Sequence, residues 1–142
     1  MTVSTSVAHK GSQSLSVGHT GEGFSNLIVQ LCPSSNQVNL SQYRLLVDIY
    51  IVPSNAETID MELELWLHTG AAPHTNDYDG SLSLDPDDGS SSNVPFRTWK
   101  TLMSTGTLQS TSGSGITALE LNFRTLNSSW AGTVYFDNVR IQ

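Results

Sequence analysis

Polar and apolar residues alternate along this chain in short runs, and nowhere do they follow the 3.6-residue period of an amphipathic helix. VSTSVA, SQSLSVGH, SNLIVQLC, YRLLVDIYIV, TIDMELELWLH, WKTLMSTG, ITALELNFRTL and GTVYFDNVRIQ each read as a strand. Clusters of Gly, Pro, Asn, Asp and Ser separate them, and each cluster has a turn mechanism of its own. One turn of helix is expected at most, around Gln37 to Tyr43. About eight strands with no helical period imply an all-β fold, a two-sheet antiparallel β-sandwich. Gly70 to Pro95 is the longest stretch poor in apolar residues. It reads either as a long functional loop or as short edge strands around SLSLD.

The 142 residues suffice for one domain with a sizeable core. Only 13% are charged, and the net charge is −7 with six basic residues scattered singly. Nucleic acid and anionic membranes need a basic footprint and are therefore not expected partners. Neutral polar ligands and cations are permitted. Cys32 is alone, so neither an internal disulfide nor a thiolate metal cluster is expected; it reads as a small buried apolar residue. No apolar run is long enough to span a bilayer. The first residues lack a basic region followed by an apolar run, so no signal peptide is expected. A Met1 followed at once by strand-like sequence suggests residues 1–142 as a single domain excised from a larger protein.

The strand DMELELWLH has two characters. Met61, Leu63, Leu65 and Leu67 form one side; Asp60, Glu62, Glu64, Trp66 and His68 form the other. In YRLLVDIYIV, Asp48 and Tyr50 lie opposite Val47, Ile49 and Ile51. In ITALELNFRTL, Glu120, Asn122 and Arg124 lie opposite Leu119, Leu121 and Phe123. Such strands belong to sheets with one face on the core and one toward water. If the three share a sheet, their outer sides merge into one surface.

Several segments resemble the jelly-roll carbohydrate-binding modules. AHKGSQSLSV is similar to a segment near the start of many of them, NLSQYRLLVDIYIV to their third strand, FRTWKTL to a strand with an internal Trp, and WAGTVYFDNVRIQ to their closing strand. Together these cover about half the chain, in the expected order. The resemblance implies a jelly-roll β-sandwich that is non-catalytic and is appended to a secreted glycoside-degrading enzyme. It also implies a structural calcium ion held partly by Asp137 and by a backbone carbonyl around Lys10. The chain departs from the pattern in having no acidic residue before Glu22 to complete that calcium site.

A sugar ring has a C–H face and a rim of hydroxyls. An indole can bury the first, and carboxylates accept strong hydrogen bonds from the second. Trp66 is therefore the expected platform, with Glu62, Glu64 and Arg124 as hydroxyl partners and Tyr50, His68 and Asn122 beside them. The other reading of this face is a solvated surface whose charges pair across strands. The expected function is non-catalytic binding of a polysaccharide chain of β-glucan, xylan or mannan type by a monomeric extracellular domain. Two alternatives stand beside it. One is a structural or adhesive sandwich. The other is a jelly-roll glycoside hydrolase or lyase using Glu62 and Glu64, since Asp60-x-Glu62-x-Glu64 is a permuted form of the Glu-x-Asp-x-Glu strand of one β-glucanase family.

Asp77, Asp79, Asp85, Asp87 and Asp88 sit in acidic loops that read as polar turns or as oxygen ligands for calcium. His9, His19, His68 and His74 show no zinc spacing. Trp99 precedes an alternating strand and reads as core. Trp130 reads either as a cap on the core or as a second platform. Asn39-Leu-Ser41 and Asn127-Ser-Ser129 are glycosylation sequons.

Overall fold

The computed structural model describes residues 2–32, 36–55, 61–71, 77–86, 96–125 and 130–142, without the side chains of residues 61, 62, 85 and 86. Within these ranges run nine strands: β1 (Thr2–Ser4), β2 (Ser14–Thr20), β3 (Gly23–Gln30), β4 (Leu45–Pro53), β5 (Met61–His68), β6 (Tyr78–Pro86), β7 (Lys100–Ser104), β8 (Ala118–Thr125) and β9 (Ala131–Ile141). All pairings are antiparallel, in the order β1-β2-β9-β4-β7-β6-β5-β8-β3. The ladder curls into two facing halves. β6 turns the corner between them: Tyr78 and Ser81 to Ser83 pair with β5, whereas Leu84 to Pro86 pair with β7. The antiparallel β-sandwich expected from the alternation is the fold observed.

Val47, Ile49 and Ile51 of β4, Leu102 of β7, and Val134 and Phe136 of β9 supply the inner side of one half. Leu27 of β3, Leu63, Leu65 and Leu67 of β5, and Leu119, Leu121 and Phe123 of β8 supply the other. Burial of each such side chain contributes roughly 1.5–3 kcal/mol. The two-residue turn Gly21-Glu22 joins β2 to β3, each in a different half; Gly21 opens it at a φ of 79° and Gly23 follows it at 129°. A side chain would strain the backbone at either position.

Three local expectations are corrected. Gln37 to Tyr43 is not helical: Val38 and Leu40 form isolated bridges to Ile116 and Leu108. Their apolar side chains gain more by joining sheet partners than one isolated helical turn could supply. SLSLD is not an edge but the middle of β6, an interior strand linking the halves. Finally, β4 does not share a half with β5 and β8. β4 pairs with β7 and β9, so its outer side faces away from the Trp66 strand.

Trp130 is the cap rather than a platform. It is fully buried, 5.5 Å from the Phe123 ring and 5.8 Å from His19. Gly132 permits this, because a Cβ there would lie 2.5 Å from the indole and 2.7 Å from the Val52 carbonyl. The Trp-Ala-Gly start of the closing strand thus has a packing explanation.

Candidate functional site

β6, β5, β8 and β3 lie side by side, and their outer sides form one surface. Alternation along β5 turns its leucines inward and Glu64, Trp66 and His68 outward. The ladder then sets Glu64 opposite Asn122, Trp66 opposite Glu120 and Glu62 opposite Arg124. β3 continues the rows on the far side of β8, with Phe24 opposite Arg124, Asn26 opposite Asn122 and Ile28 opposite Glu120.

Trp66 stands half-buried at the middle of an aromatic row. Its ring lies 5.1 Å from Tyr78, edge to face, and 6.1 Å from Phe24. Tyr78 and Phe24 are 53% and 52% exposed, and Ile28 beside them is 40% exposed. The Trp66 indole N–H donates to Glu64 Oε2 at 2.8 Å, which fixes the ring's orientation. The Arg124 guanidinium lies 5.1 Å over the Phe24 ring, a cation–π contact that holds Phe24 at the rim.

Beneath the row is a buried polar floor. His68 lies between Asp77 Oδ1, at 3.0 Å, and Glu120 Oε2, at 2.7 Å. With both carboxyl groups ionised, these two bonds require hydrogen on both ring nitrogens. Asn26 Nδ2 donates to Glu120 Oε1 at 2.7 Å. Asn122 is also buried, and its Nδ2 has no hydrogen-bond partner among the described residues. Asp77 Oδ2 in turn accepts from the Gly70 backbone N–H. His68 therefore ties the start of β6 to the floor of the face.

The expected site residues separate accordingly. Trp66, Glu64, Arg124 and Asn122 share the face. The Glu62 backbone lies on it, with its side chain outside the described residues. His68 and Asn122 are 2% and 3% exposed, so both side chains lie beneath the surface of the face rather than on it. The reason for His68 is long-range: β6 and Asp77 close over an outward position that alternation alone leaves open. Tyr50 is on the other half, next to Trp99 and Tyr135. Trp99, expected in the core, is likewise half-buried on that outer surface, stacked on His9 at 5.1 Å. Phe24, Ile28 and Tyr78 were not anticipated. GFSNLIVQ has apolar residues on both sides, so alternation alone does not tell which side faces out.

The residues named for calcium make a different arrangement. Asp137 Oδ2 accepts the backbone N–H groups of His9 and Lys10 at 2.6 and 2.9 Å, and Oδ1 accepts that of Asn138 at 2.6 Å. Lys10 thus turns its backbone N–H toward the carboxylate. A calcium site needs converging oxygens, so this donor set does not fit the ion. Among the described residues no group of three His, Cys, Asp or Glu side chains converges to hold a metal. Asp79 is capped by the Thr111 and Ser112 hydroxyls; the Ser112 bond first, then that of Thr111, holds its carboxyl below the usual value. Asp77 is engaged with His68 and Gly70. Asp85's side chain, Asp87, Asp88, His74 and the second sequon lie outside the described residues. Cys32, expected in the interior, is half-buried, with its thiol donating to the Asn36 carbonyl.

No family model matches the chain, and no curated protein does. Solved structures do. A carbohydrate-binding module studied for promiscuous specificity within the β-sandwich superfamily superposes with a TM-score of 0.60 at 18% identity, over 99% of this chain and 51% of that one. A family 30 module gives 0.60 at 14% identity, over 99% and 72%. A family 28 module specific for non-crystalline cellulose gives 0.58 at 17%, over 99% and 80%. The chain has the fold of the β-sandwich carbohydrate-binding modules. It spans about half the length of the first of these structures.

Proposed function

We propose that this domain is a non-catalytic, monomeric module that lays a polysaccharide chain of β-glucan, xylan or mannan type across the outer face of β6, β5, β8 and β3. In the parent protein it would hold an attached catalytic domain near its substrate outside the cell, raising local concentration without new contacts. The observation that carries this reading is the row Phe24–Trp66–Tyr78. Its outer rings are half exposed, and its central indole is oriented by a carboxylate that has lone pairs to spare for sugar hydroxyls. A purely structural face gains nothing from exposing Phe24, Ile28 and Tyr78 together. The fold shared with carbohydrate-binding modules supports binding over hydrolysis.

Native electrophoresis in gels containing soluble glucan, xylan or mannan tests it. The wild type should be retarded by at least one polymer, and Trp66→Ala should lose most of that retardation. Equal retardation of both proteins would contradict the proposal. Release of reducing sugar that Glu62→Gln abolishes would replace it with the glycosidase reading. The calcium ion implied by the resemblance stays a proposal of its own. A melting temperature lowered by chelator would support it, and an unchanged one agrees with the donor geometry at Asp137.

A further inference from the structure

We infer that the opposite outer face carries a second, separate sugar platform made by Tyr135, Tyr50, Trp99 and His9. Tyr50 is paired with Tyr135 across β4 and β9, and the pairing of Ile49 with Lys100 brings Trp99 alongside. The Tyr50 ring lies 6.1 Å from Tyr135 and 5.3 Å from Trp99, and His9 stacks on Trp99 with an interplanar angle of 15°. The two tyrosines and the tryptophan are half-buried and His9 is exposed, so the row has one side against the sheet and one toward solvent.

Two features mark it as a ligand surface rather than incidental packing. First, neither tyrosine hydroxyl nor the Trp99 indole N–H bonds to any described residue. Three polar heads are thus available, whereas the Trp66 indole N–H is already committed to Glu64. Second, the row is held from below. His9 Nδ1 hydrogen-bonds Asp48 Oδ2 at 2.8 Å, and Nε2 bonds to no described residue. Asp48 is itself fixed by Thr101 at 2.7 Å, Asn138 at 2.9 Å and Arg140 at 3.4 Å. Rings held rigid before binding lose little entropy on binding.

The chemistry selects a neutral sugar. Flat rings suit the C–H face of a pyranose, and the unspent O–H, N–H and imidazole nitrogen suit its hydroxyl rim. An apolar protein surface would bury those heads without partners, and a net charge of −7 disfavours nucleic acid. The inference stands on this face's own geometry and shares only its ligand class with the proposed function.

The test follows the indole N–H resonances of Trp66, Trp99 and Trp130 in ¹⁵N-labelled protein. Hexasaccharides of β-1,4-glucan, β-1,4-xylan and β-1,4-mannan are titrated in turn. The Trp99 and Trp66 signals should each move with at least one sugar, while buried Trp130 stays as the internal control. Tyr50→Ala should weaken the Trp99 response about tenfold and leave the Trp66 titration unchanged. Movement at Trp66 with none at Trp99 for all three sugars overturns this inference alone. Silence at both overturns the proposed function as well. A Trp99 signal that shifts with protein concentration in the absence of sugar assigns the face to a second copy of the chain and also overturns it.

Discussion

The two outer faces of the sandwich are made by the same alternation but spend their polar groups differently. Around Trp66, carboxylates lie beside and beneath the rings, and the indole N–H is already used on Glu64. Around Trp99, the Asp48 carboxylate is withdrawn into the protein, and the ring heads bond to no described residue. Asp48 is 1% exposed with four donors on it, whereas Glu64 is half-buried and accepts from the Trp66 indole among the described residues. A carboxylate at an outward strand position with many internal partners is committed to the fold, whereas one with few keeps acceptors for other partners.

Substitution of these two acids should break the comparison most sharply. Asp48→Ala removes the shared acceptor of four part-buried donors and should cost about 3 kcal/mol of stability in urea unfolding. Glu64→Ala should cost about 1 kcal/mol or less and act mainly on sugar binding. Equal losses would erase the distinction.

A smaller effect should separate charge from shape at Asp48. Burial raises its pKa, but bonds from Thr101, Asn138, His9 and Arg140 together outweigh burial and hold the carboxyl below its ordinary value of 3.8. A depressed carboxylate contributes stability that is fully present above its unfolded value and is lost as pH falls through the folded one. Asp48→Asn should therefore be less stable than wild type by about 2 kcal/mol at pH 7, with the gap closing as pH falls below 3.8. A gap independent of pH would mean that the charge is immaterial.

The smallest effect sharpens the Trp66 face itself. Phe24→Ala and Tyr78→Ala remove exposed rings, so each should leave the melting temperature nearly unchanged while weakening sugar binding by about 1 kcal/mol, roughly fivefold. Unaltered binding in both variants would reduce the platform to Trp66 alone.

The fold was largely legible in the chain because a two-residue period dictates which side of each strand is buried. That is why Leu63, Leu65 and Leu67 point inward and Trp66 outward, as read. Strand neighbours were not legible, because β4 and β5 are adjacent in sequence yet lie in opposite halves, and Tyr50 went with β4. Trp99 could have been placed from parity: Leu102 faces the core, so Trp99, Thr101 and Met103 must face out. The burial of His68 had no such signal, since it depends on β6 closing over it. Asp137 of the closing strand, expected at calcium from the resemblance, accepts the backbone N–H groups of His9, Lys10 and Asn138. Asn138 adopts a φ of 49° at a β-bulge, a conformation Asn tolerates, and aims its amide at Asp48.

The most direct measurement is calorimetric titration of the best-bound hexasaccharide into wild type, Trp66→Phe and Trp66→Ala, with melting curves confirming that all three are folded. Wild type should bind in the μM to mM range, Trp66→Phe several-fold more weakly, and Trp66→Ala weaker than wild type by about 2 kcal/mol, roughly thirtyfold. Three folded proteins with one shared dissociation constant would show that no sugar rests on that indole.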